Sequence, residues 1–205
     1  MRKFLAAVVA VLFFSATFAQ SLKGKTVFGF KVGINASTFR TAVDYPDFDP
    51  SYKAGLALGC FVEIPLSSRF KIQPEFLYSQ MGSKGASTEW GNVTFKYNYF
   101  AVPLLVKFNV INNFSVFAGP EADVLIRARQ HSFNEVKTLT NDIQDFDCGF
   151  TVGAELALGK KWTLHGRYIH GIRDCAADDA NFSFFNQGFQ LNVGYKIFKK
   201  AKKAK

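Results

Sequence analysis

The chain has 205 residues, 48% hydrophobic and 16% aromatic, and only 20% of them are charged. High hydrophobicity at modest charge excludes an intrinsically disordered polymer, and 16 glycines without a period exclude a collagen-like repeat. The net charge of +9 sits at the two ends: without Arg2, Lys3 and the lysines of residues 199–205, 18 bases face 16 acids, too even a balance for a nucleic-acid groove.

The first segment reads as an address. Met1-Arg2-Lys3 is a basic start, Phe4 to Phe14 is an uncharged apolar run, and Thr17-Phe18-Ala19 offers the small residues a signal peptidase reads. The run falls short of the about 20 apolar residues a spanning helix needs. A signal peptide over residues 1–19 is therefore expected, with cleavage before Gln20 and no cysteine there for lipid attachment. The rest divides into one domain, residues 20–198, and a basic tail, residues 199–205.

Beyond Ala19, helical periodicity is poor and period-two alternation is frequent, which signals half-buried strands. Phe28, Phe30, Val32 and Ile34 alternate with Gly29, Lys31, Gly33 and Asn35. Leu56 to Ile64 and Phe70 to Ser79 repeat the pattern. Val93 to Phe108 changes phase, with Val93, Phe95, Tyr97 and Tyr99 in one register and Phe100, Val102, Leu104, Val106 and Phe108 in the other. A bulge near Tyr99 is expected to bring both sets to one face. Phe114 to Arg127, Phe146 to Leu158, Trp162 to Ile169 and Gly188 to Ile197 complete eight segments. Three joins are very short: Ser67-Ser68, Val110 to Asn112, and Gly159-Lys160. The others are long: roughly Ser37 to Lys53, Met81 to Asn92, Gln130 to Gln144 and Ile172 to Phe185. Short turns on one rim and four long loops on the other predict an all-β, eight-stranded antiparallel transmembrane barrel, with periplasmic turns and extracellular loops.

A soluble lipocalin-like barrel would alternate as well, with its apolar face inward. The export signal, the loop asymmetry and a polar face of small residues mixed with charges of both signs favour the inverted arrangement. The expected inward acids are Glu63, Glu75, Glu121, Asp123, Asp147 and Glu155. The expected inward bases are Lys31, Lys71, Lys96, Lys107, Arg127, Arg167 and Lys196, with His165 in the same polar network. Near-cancelling charge suits a closed interior, because an unpaired charge there is costly. A plugged lumen follows, and not an open pore. Phe30, Leu58, Phe150 and Leu191 should face lipid. Trp162, Tyr78, Tyr99, Tyr168 and Tyr195, near strand ends, should form interfacial girdles.

Several segments resemble the outer-membrane β-barrel family of Bacteroidetes-type bacteria, labelled PorT-like or "porin family". The residues that carry it are Phe28-Gly29-Phe30-Lys31-Val32-Gly33-Ile34-Asn35, Ile72 to Ser79, Tyr99 to Lys107, Phe117-Ala118-Gly119-Pro120 and Gly166-Arg167-Tyr168. The resemblance covers Phe28 to Phe198. It implies an eight-strand barrel in the outer membrane and no particular reaction. Its partners would be outer-membrane lipids and the barrel-assembly machinery. The chain departs from the family at its end, where Phe198 is followed by the lysine-rich tail and not by a closing aromatic.

Little else suggests chemistry. Cys60, Cys148 and Cys175 are odd in number and lack C-x-x-C spacing, so neither a disulfide framework nor a zinc site is indicated, though a Cys148–Cys175 bridge is conceivable. His131, His165 and His170 have no metal spacing. His131-Ser132 is the only adjacent nucleophile–base pair, it falls in a loop, and no G-x-S-x-G lies nearby. Asp44, Asp47, Asp49, Asp174, Asp178 and Asp179 lack EF-hand spacing. No cofactor, no metal and no enzymatic activity are expected; a surface-binding or envelope-integrity role is, with a small pore or a soluble carrier as the alternatives.

Overall fold

The computed structural model describes residues 26–41, 49–87, 91–132, 135–140, 143–174 and 183–197. The expected signal peptide and basic tail lie outside the described residues, as do Cys175, Asp44, Asp47, Asp178 and Asp179. The strands are β1 (Val27–Thr41), β2 (Asp49–Pro65), β3 (Phe70–Met81), β4 (Ser83–Ser87), β5 (Gly91–Ile111), β6 (Phe114–His131), β7 (Val136–Thr138), β8 (Phe146–Leu158), β9 (Trp162–Gly171) and β10 (Phe184–Ile197). β1 pairs with both β2 and β10, and antiparallel pairing continues through β3, β5, β6, β8 and β9 until the ring closes. The eight expected strands are all present. β4 and β7 are short additions at the long-loop end, paired to β2, β5 and β6.

Closure is what a bilayer requires: no water reaches the hydrocarbon zone to satisfy a free strand edge. The turns on one rim are tight. The amides of Leu66 and Ser67 both donate to the Phe70 carbonyl (2.9 and 3.1 Å) in the β2–β3 turn. Gly159 takes a φ of +80° at the β8–β9 turn, a conformation that L side chains resist. At the opposite rim the strands run on into what the sequence suggested were loops. β5 and β6 are the longest, at 21 and 18 residues.

The polarity is inverted relative to a soluble protein. Phe30, Leu58, Phe150 and Leu191 are about half exposed on the outer wall, as expected. Glu63, Glu75, Lys107, Glu155, His165 and Arg167 are buried inside. Trp162 and Tyr195 meet edge-on at the short-turn rim, with ring centres 4.9 Å apart.

Four readings are corrected: the bulge in β5, Tyr99 as a girdle residue, and Arg127 and Lys96 as inward bases. β5 needs no bulge near Tyr99 to reconcile its two phases: the register irregularity lies opposite, where Asn98 pairs with Arg127 and Tyr99 with Leu125, leaving Ile126 as the extra residue in β6. Val93, Tyr97 and Tyr99 consequently point inward and are buried, while Phe100, Leu104 and Val106 face out. Tyr99 is thus a core residue and not part of a girdle. It joins Phe39, Met81, Tyr97, Leu125, Ala128 and Ile169 in an apolar cluster across the long-loop end of the barrel. The same irregularity turns Arg127 to the outside, where it is exposed, and Lys96 is exposed on the neighbouring strand.

Candidate functional site

The lumen is filled in layers. Nearest the short turns, Glu63 and Glu155 share Lys107, which contacts both carboxylates and donates to Gln73 Oε1 at 3.2 Å. Lys196 bridges the same two acids at 3.2 and 3.0 Å, and Lys71 stands 3.6 Å from Glu63 with its side chain a quarter exposed at the rim. One layer up, Glu75 gathers three donors: Lys31 Nζ at 2.6 Å, Arg167 Nη1 at 3.0 Å and Gln73 Nε2 at 2.7 Å. Lys31 also lies over the Phe61 ring. His165 packs between Phe61 and Phe117, with its Nε2 2.7 Å from Thr163 Oγ1 and its Nδ1 3.3 Å from Glu155. Glycines make room for these rings: a Cβ on Gly29 would collide with Phe61, and one on Gly153 with Phe117. Alternation places such residues inside, and pairing makes them tolerable there.

Above the ion pairs, the amides take over. Gln190 donates to Asn35 Oδ1 (2.6 Å), Asn192 to Gln190 (2.8 Å) and Asn35 to Ser79 Oγ (2.9 Å). On the far wall stand three acids, Glu121, Asp123 and Asp147, of which Asp123 and Asp147 face each other directly across β6 and β8. Asn186 Nδ2 donates to Asp147 Oδ2 at 2.7 Å and to the Tyr99 hydroxyl at 3.0 Å, tying this layer to the apolar cluster. Glu121 Oε2, Asp123 Oδ1 and the Nε and Nη2 atoms of Arg167 find no hydrogen-bond partner among the described residues.

Of the residues assigned inward from the alternation, the structure brings Lys31, Glu63, Lys71, Glu75, Glu121, Asp123, Asp147, Glu155, His165, Arg167 and Lys196 into the lumen, together with Lys107. Arg127 and Lys96 belong elsewhere. On the outer face of the β5–β6 hairpin, Asn98 pairs with Arg127, Lys96 with Arg129 and Thr94 with His131, while Lys84 of β4 pairs with Thr94. Five basic side chains therefore share one wall just above the lipid-facing apolar band. Among the described residues no carboxylate forms an ion pair with Lys84, Lys96, Arg127 or Arg129. Partial burial and the cations Lys96 and Arg129 push the His131 imidazole below its ordinary range. The i, i+2 run Arg127, Arg129, His131 is the signal in the sequence that could have announced this wall.

Among the described residues Cys60 and Cys148 form no disulfide. Among the described residues no group of three or more His, Cys, Asp or Glu is arranged to hold a metal. His131 ends β6, and the Ser132 amide donates to the Glu135 carbonyl in the turn that follows. Asp174 accepts a hydrogen bond from the Phe184 amide (2.9 Å).

Comparison with known proteins gives the same architecture. The fold is similar to that of Neisserial surface protein A, at a TM-score of 0.55 and 9% identity over 85% of this chain and 100% of that one. It is also similar to Ail, the attachment invasion locus protein of Yersinia pestis, at a TM-score of 0.51 and 13% identity over 85% and 100%. At such identities the likeness is one of fold. No curated protein matches the sequence. A family model described as outer membrane protein beta-barrel domain matches residues 18–177. The chain belongs to that family and is a barrel of the bacterial outer membrane.

Proposed function

We propose that the protein is a non-catalytic surface-binding protein in which the barrel is an anchor with a plugged lumen. The projecting β4–β5–β6 wall engages an anionic polymer at the cell surface. Residues 1–19 serve as the export signal. The motifs around Phe28 to Asn35 and Ile72 to Ser79 support placing the chain among PorT-like barrels of Bacteroidetes-type bacteria. The observation that carries the reading is the row Lys84, Lys96, Arg127, Arg129 and His131, which faces outward without carboxylate partners among the described residues and sits above the apolar band. Such a row attracts polyanions by charge and loses them to salt. The interior supports the plug: acids and bases interlock across it from Glu63 to Arg167.

The test is binding of fluorescent dextran sulfate, against neutral dextran, to the barrel folded in phosphatidylcholine vesicles. Dextran sulfate should bind and be released by high salt. The variant Lys96→Gln/Arg129→Gln should weaken it several-fold. Equal binding of neutral dextran, or none of either, overturns the proposal. In a planar bilayer the plugged lumen should give no steady conductance.

A further inference from the structure

On the wall formed by β9, β10 and β1, the outer surface departs from its usual bulky cover. Gly166 faces lipid, and a Cβ built there would meet nothing within 4 Å. Leu191 is its partner across β10, and one step up Tyr168 pairs with Phe189, which pairs in turn with Ala36. The two small residues leave an open apolar groove of about 440 Å³ walled by Val152, Tyr168, Phe189 and Leu191.

The groove has a polar head. Directly above it, at the long-loop end, Arg40 Nη1 lies 2.7 Å from His170 Nε2 and Arg40 Nη2 donates to the Gly171 carbonyl at 3.2 Å. The guanidinium rests over the Phe185 ring, 5.2 Å from its centre. Tyr168 joins the two halves: its ring walls the groove, and its hydroxyl lies 3.2 Å from both His170 Nδ1 and Gln187 Oε1. Among the described residues Arg40 has no ion-pair partner. A cation at the margin of the hydrocarbon zone is costly without a counter-ion. Gly166 and His170 are four residues apart, about 13 Å along an extended strand. A head group at Arg40 therefore sets its own acyl chain down in the groove.

We propose that this wall is a seat for one phosphate-bearing lipid of the outer leaflet, with the phosphate on Arg40 and His170 and one acyl chain over Gly166. Charge complementarity selects the head and the Gly166 depression selects the chain. The site stands apart from the basic wall on β5 and β6, and the two can fail independently.

Native mass spectrometry of the folded barrel in detergent micelles tests it, with phosphatidic acid as probe and diacylglycerol of the same chains and inorganic phosphate as controls. The wild-type barrel should retain one phosphatidic acid, ignore diacylglycerol, and keep its lipid in excess inorganic phosphate. Arg40→Gln and Gly166→Leu should each lower retention about tenfold. Gly166→Leu enters open space, so its heat-modifiable gel mobility should match the wild type and show that the barrel has closed. Lys161→Gln, at the opposite rim, should retain lipid normally. Undiminished retention in either groove variant, equal retention of diacylglycerol, displacement by inorganic phosphate, absence of bound lipid, or a dimer of the chain in place of the lipid would each overturn the proposal.

Discussion

Glu75 is the most informative residue to remove. Its carboxylate is fully buried and stands 2.6 Å from Lys31 Nζ and 3.0 Å from Arg167 Nη1. With an effective dielectric near 20, those contacts give roughly 6.4 and 5.5 kcal/mol of Coulomb attraction. Taking three ions out of water costs several kcal/mol each, so most of that attraction is offset. In Glu75→Gln the cost remains for the two cations and the attraction is gone. Breaking a buried pair in this way costs about 3–5 kcal/mol. Reversible guanidinium unfolding in phosphatidylcholine vesicles, followed by tryptophan fluorescence, measures it. Adding Lys31→Met to Glu75→Gln removes one orphaned cation and should recover at least about 1 kcal/mol. A loss below about 1 kcal/mol for Glu75→Gln, or a double variant no more stable than the single, would refute the idea that these charges are held in a dry, interlocked lumen.

Other substitutions probe other layers. Asp123→Asn removes a like-charge pair facing Asp147 across β6 and β8, and should raise stability by up to about 1 kcal/mol in the same unfolding assay; a loss would mean that the ionised form has a role there. Gly29→Ala places a Cβ against the Phe61 ring and 2.7 Å from the Tyr195 carbonyl, and should cost about 1–3 kcal/mol, part of it regained with Phe61→Leu. His131 acquires its proton only below the ordinary imidazole range, because partial burial and then Lys96 and Arg129 disfavour the cation. Dextran sulfate binding should therefore strengthen as pH falls below the ordinary imidazole range and lose that increment as pH rises through it. His131→Gln should flatten the response, and an unchanged pH profile in that variant would remove His131 from the wall's chemistry.

The strand count, the ring and the sense of its polarity were all legible in the sequence, because a membrane barrel has one periodicity and each strand states it separately. Phe189, Leu191, Val193, Tyr195 and Ile197 against Gln190, Asn192 and Lys196 leave one consistent placement once the loops are seen to alternate short and long. The upper lumen was not legible. Val93, Phe95, Tyr97 and Tyr99 look like lipid-facing residues, yet they stand in the inward phase, because an apolar cluster closes the barrel above its ion pairs. Hydrophobicity marks a side chain as removed from water but does not say whether lipid or protein removes it. Arg127 failed for a different reason. One extra residue at Ile126 reverses every assignment beyond it, and nothing in the local composition marks which of two paired strands carries a bulge. The pairings inside the lumen were also out of reach: alternation put Glu75 and Arg167 on one face, but their meeting depends on closure of the ring between strands distant in sequence.

The reach of the β5–β6 hairpin has a mechanical consequence. At about 3.3 Å per residue and a tilt near 40°, the 21 residues of β5 rise on the order of 50 Å, roughly twice the height of the apolar band. What stands clear of the bilayer is a stiff mast braced by β4 and β7, and not a tether of loose chain. On the proposed function, a polymer caught on it would meet side chains already held in register, leaving little ordering to oppose capture. Drag on such a polymer would be borne in shear by rungs of paired backbone and pass down the ribbon into the membrane-embedded girth.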